Sequence, residues 1–146
     1  MEAYTKNRDP MHDTLKLIIP LVIYPFDIMV MMGYSDEEVR EELSRYSSIS
    51  ESDINLAMLE KETVRGRTAL FETNQTFIRI PEIPVTPLDY GFLQHEIFHA
   101  VTYILYRVGM KLKIGYSDEA YAYLVGYVTE KIYEEINKKK KRRKTN

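Results

Sequence analysis

The residues best placed to do chemistry are His95-Glu96-Ile97-Phe98-His99, in a chain of 146 residues with only three histidines. Four residues of helix advance about 6 Å and turn about 40° past a full revolution, so both imidazoles project from one face. Placed so, they can share a zinc ion at about 2.0–2.1 Å from each nitrogen. Glu96, next around the helix, can then take a proton from an attacking water and pass it on. The plain alternative is a pair of core or surface histidines. Against it, the neighbours Leu93, Ile97, Ala100 and Ile104 form an apolar row, where a buried, unpaired imidazole is costly.

The chain has no Cys, which removes disulfides, thiolate metal sites and a cysteine nucleophile. Any transition metal must be held by His, Asp or Glu, and a catalytic zinc takes three protein ligands. Glu119 is the preferred third ligand, because Glu119, Tyr123 and Gly126 follow one helical stripe; Asp118 competes for the role. Either acid equally suits the positive pole of a helix N-terminus. The remaining histidine, His12, lies outside any clear element and reads as a surface residue.

These elements must position the site. Thr14 to Tyr24 and Asp27 to Met32 read as a β-hairpin turning at Pro25, and Pro20 argues for an edge position or a bulge in its first strand. Ser35 with Glu38 forms a capping box for a short helix over 36–46. Residues 52–62 carry a helical turn or two. Arg67 to Glu72 and Thr76 to Ile80 flank Asn74-Gln75 as a second hairpin, with Thr76, Ile78 and Ile80 on one face and Phe77 and Arg79 on the other. Thr86-Pro87 starts the central helix, which runs to about Val108 and stops at Gly109. A last helix is expected from the cap Ser117 to about Asn137.

His-Glu-x-x-His followed by Glu119 resembles the gluzincin, thermolysin-like class of zinc metallopeptidases. The resemblance covers about residues 87–130 and implies His95, His99 and Glu119 as zinc ligands and Glu96 as the catalytic base. That class places an acidic residue one turn after its Glu ligand, where this chain has Tyr123, so support for the metal site is expected from the Tyr123 hydroxyl or from elsewhere. No oxyanion-stabilising His or Tyr is assignable. The segments Leu93-Gln94-His95-Glu96-Ile97-Phe98-His99-Ala100-Val101 and Asp118-Glu119-Ala120-Tyr121-Ala122-Tyr123-Leu124-Val125-Gly126-Tyr127 also resemble compact proteins encoded by bacteriophages and prophages.

Hydrophobic residues make up 45% and charged residues 29%, which excludes disorder for most of the chain. Seven basic residues without an acid fill Lys138 to Lys144, leaving thirteen basic against twenty-two acidic residues before them. The acidic body is unlike a nucleic-acid surface, so nucleic acid is expected only through this basic run, read as a solvated, disordered tail over 138–146. The stretch Leu15 to Met32 is too interrupted by Pro20, Pro25 and Asp27 to span a bilayer, and no secretory signal is visible; the cytoplasm, or a host cytoplasm, is the expected compartment.

The expected architecture is α+β and minimal zincin-like: one domain over 1–137, with a small antiparallel sheet of two hairpins packed on the central helix and its C-terminal partner. The expected function is zinc-dependent hydrolysis of a peptide bond in a peptide or protein substrate. The substrate would add to an exposed sheet edge formed by Thr76, Phe77, Ile78, Arg79 and Ile80. The alternative is a non-catalytic, zinc-stabilised binding or virion-associated protein of a phage.

Overall fold

A computed structural model describes residues 13–145. The chain folds in the order β1 (Leu15–Pro20), β2 (Asp27–Met32), α1 (Asp36–Ser44), α2 (Glu51–Leu56), β3 (Arg67–Leu70), β4 (Thr76–Ile80), α3 (Pro87–Arg107) and α4 (Asp118–Thr145). This is an α+β architecture built on one four-stranded sheet of order β1-β2-β4-β3. Both hairpins are antiparallel, with Leu17 opposite Val30 and Ala69 opposite Phe77. They join through a parallel pairing of β2 with β4, so the sheet is mixed rather than antiparallel. Pro20 closes an edge strand, where its missing N–H leaves no gap in the ladder.

The same pairing corrects the expected substrate edge. β4 is flanked on both sides, and Thr76, Phe77, Ile78, Arg79 and Ile80 are all buried. Its period-2 pattern arises because each face of the sheet is covered by different helices. Ile28, Val30, Met32, Ile78 and Ile80 pack with Leu93, Ile97, Ile104, Val128 and Ile132 of α3 and α4. Met29, Met31 and Phe77 pack on the other face with Val39, Leu43 and Ile54 of α1 and α2. Arg79 enters this second layer at 2% exposure with its two terminal nitrogens donating to Asp36, the Ala57 carbonyl and the Tyr34 carbonyl.

Local chemistry sets the helix boundaries. Ser35 and Glu38 exchange side-chain and backbone hydrogen bonds at the start of α1. Thr86 and Asp89 do the same at α3, where the N–H groups of Thr86 and Val85 hold the Asp89 carboxyl below its usual range. At the far end of α3 the chain leaves through Gly109 at φ +78°, and Met110 N–H closes back on the Leu105 carbonyl. Ser117 faces back into the connecting turn instead of capping α4, accepting from Lys113 N–H and donating to the Lys111 carbonyl.

α4 runs on to Thr145, through the run expected to be disordered. Lys and Arg are good helix formers and suit the negative pole of a helix C-terminus. Lys140 also reaches the Tyr90 hydroxyl at 2.9 Å, and Arg143 pairs with Asp13. Among the described residues, no helix is long and apolar enough to cross a membrane.

Candidate metal and proton-transfer site

The site lies at the middle of α3. Leu93, Ile97, Ala100 and Ile104 anchor the helix in the core, which leaves His95 and His99 on its exposed side. Their Nε2 atoms stand 3.1 Å apart, with the rings nearly perpendicular. Two nitrogens bound tetrahedrally to one zinc ion would be about 3.3 Å apart, so this separation suits a shared ion. It equally suits one imidazole donating to the other. Tyr103 sits one turn further on, its ring centroid 6.4 Å from that of His99.

Glu96 turns toward the sheet. It is 8% exposed, and its Oε2 accepts the Thr68 hydroxyl at 2.5 Å, with the Glu96 carbonyl 3.1 Å from the same oxygen. No hydrogen bond to Oε1 occurs among the described residues. Gly66 makes the approach possible: a Cβ there would stand 2.7 Å from Glu96 Cγ. Thr68 lies on β3, an edge strand paired only with β4 among the described residues. Neither residue belongs to a motif in the sequence. A Gly just before a short strand was the available signal, since it marks a close approach of the backbone.

The structure does not assemble the expected three-ligand set. Gln94 reaches Thr129 and Tyr133 and so marks the side of α3 that faces α4. At about 100° per residue, His95 lies roughly 100° and His99 roughly 140° around the helix from Gln94. Glu119 stands apart on the exposed first turn of α4, and no group of three His, Asp or Glu side chains gathers among the described residues. Of the two acids at that turn, Asp118 already accepts from Gly115 N–H at 2.9 Å, whereas Glu119 has no such bond. His12 lies outside the described residues.

Tyr123 is also displaced from its expected role. It is 76% exposed and lines a surface hollow with Val22, Ile23, Tyr24 and Tyr127 beside the β1–β2 turn. The side-chain hydrogen bond to Glu96 comes from Thr68, away from Tyr123. Comparison of the chain with protein-family models, with curated proteins and with solved structures gives no match.

Proposed function

We propose that this protein is a zinc-dependent peptidase in which His95 and His99 hold the metal and Glu96 is the general base. The convergence of the two Nε2 atoms at 3.1 Å, beside a buried carboxylate with one free oxygen, carries the reading. Glu119, the third ligand expected from the sequence, stands apart on the first turn of α4, so the reading rests on the two histidines and Glu96. A zinc ion so held supplies Lewis-acid polarisation of the scissile carbonyl and of the attacking water.

The other steps belong to the chain itself. Thr68 fixes the rotation of the Glu96 carboxylate by occupying Oε2. Oε1 then takes the proton of the attacking water and returns it to the leaving amine. An extended peptide pairs with the free side of β3, Arg67–Leu70, and this brings a scissile bond alongside Glu96. The zinc staple between α3 and α4 has less support, because the histidines turn away from the Gln94 side that faces α4.

Zinc content and hydrolysis by the Glu96→Gln variant test the reading together. Wild-type protein should bind about one equivalent of zinc after supplementation, and His99→Ala should lose it. Glu96→Gln should keep the metal and lose about 10²-fold or more in peptide hydrolysis, since the amide cannot accept a proton. Zinc below roughly a tenth of an equivalent would overturn the metal site. Full zinc with no cleavage across a broad peptide library would overturn the peptidase.

A further inference from the structure

We propose that the C-terminal end of α4 is a binding site for duplex nucleic acid, recognised through its phosphate backbone without regard to sequence. This stands independently of the metal site. Its first ground is that the run Lys138 to Lys144 is a helix with fixed directions rather than a flexible tail. Counting about 100° per residue from buried Ile136, Lys140 and Arg143 fall within about 40° of the inward line, whereas Lys141 and Arg142 point some 120–140° away from it. The contacts agree: Lys140 reaches Tyr90 and Arg143 pairs with Asp13, so these two dock the helix end to the body.

The second ground is what the remaining cations do. Lys138 is matched by Glu135 at 2.9 Å. Lys139, Lys141, Arg142 and Lys144 form no ion pair with any described residue. Four unneutralised charges thus stand on the outward and lateral faces of two helical turns. They do so at one end of a body that otherwise carries a large acidic excess. A polyanion gains there by releasing its own counterions.

Neighbouring side chains choose among polyanions. No large apolar side chain is exposed on α4 beyond Tyr123, so among the described residues this helix end has no apolar anchor for insertion into a lipid surface. Among the described residues it likewise offers no exposed aromatic platform on which unpaired bases could stack. What remains is charge at fixed spacing, which suits the regular phosphates of a duplex. The acidic body keeps the footprint short, about four phosphates.

Fluorescence anisotropy of a labelled 20-base-pair duplex, titrated with the full chain between 50 and 200 mM salt, tests this. Four phosphate contacts predict a slope of log K against log salt of about −3.6, or a loss of about a hundredfold across that range. The Lys141→Gln/Arg142→Gln variant keeps the docking contacts of Lys140 and Arg143. It should keep the wild-type melting temperature while the slope becomes shallower by about 2. No binding at 50 mM salt, or an unchanged slope in the variant, overturns the proposal. So does tighter binding to a single strand of equal length or to phosphatidylserine vesicles.

Discussion

The Thr68 hydroxyl donates to Glu96 Oε2 at 2.5 Å, tying the edge strand of the sheet to the helix that carries both histidines. A carboxylate that is 8% exposed needs such a donor, because desolvation without a partner is costly. In the proposed mechanism the bond also decides which Glu96 oxygen would take the proton.

Thr68→Val keeps the shape of the side chain and removes the donor. We expect it to lower stability by about 1.5–3 kcal/mol in urea unfolding, the usual range for a lost hydrogen bond to a charged group. Thr68→Ser should restore most of that. Peptide hydrolysis should follow the same order, with zinc content unchanged in both variants. Equal stability of the Val and Ser forms would show that the hydroxyl contributes nothing.

Gly66→Ala tests the closeness of the same contact from the backbone side. The added Cβ would lie 2.7 Å from Glu96 Cγ and 3.0 Å from Cδ and Oε1, inside normal contact. Overpacking of this kind costs about 1–3 kcal/mol. In a Glu96→Ala background the clashing atoms are gone, so the same substitution should cost far less. The double-mutant cycle therefore reads the contact directly.

These two residues show what the sequence could and could not reveal. Helix caps such as Ser35/Glu38 and Thr86/Asp89 were legible because the bonds span three residues. The His95–His99 pairing was legible because helix geometry alone sets it. Thr68 and Gly66 meet Glu96 across some thirty residues of chain, through strand order that no local pattern encodes. Parallel pairing of β2 with β4 hid in the same way, and it moved Thr76 to Ile80 from the edge to the interior. Arg79 added to the difficulty, since a charged residue in a strand reads as a solvent position until Asp36 is found beside it. The rotation of α4, fixed by Leu124, Val128 and Ile132 in the core, places Tyr123 in the surface hollow beside Val22, Ile23 and Tyr24.

Asp36 gives a pH dependence with a definite sign. Burial alone would raise its carboxyl, but the Leu59 N–H, the Arg79 guanidinium and the Glu60 N–H outweigh this and hold it below the usual aspartate range. A folded-state value below the unfolded one means stability that is fully present above about pH 4 and is lost as pH falls through the folded value. The urea midpoint should therefore fall between about pH 5 and pH 2. Asp36→Asn should be less stable at pH 7 and should show a flatter dependence over that interval. A variant whose midpoint changes with pH as steeply as wild type would remove Asp36 as a source of the effect.

Removing residues 138–146 tests whether the basic run is helix or coil. The truncation keeps Ile136, the last buried residue of α4, and so leaves the core intact. It removes the Lys140–Tyr90 hydrogen bond and the Arg143–Asp13 pair, both near the surface. Exposed pairs contribute about 0–1 kcal/mol each, so the total loss should stay below about 2 kcal/mol and the melting temperature should fall by only a few degrees. Circular dichroism separates the two states of the run. Helix through Thr145 predicts that the truncated protein loses eight of the twenty-eight helical residues of α4 from its signal per molecule. A coil would leave that signal unchanged. A larger fall in stability would mean that Lys140 and Arg143 hold the end of α4 and the N-terminal edge of the sheet together more strongly than surface pairs do.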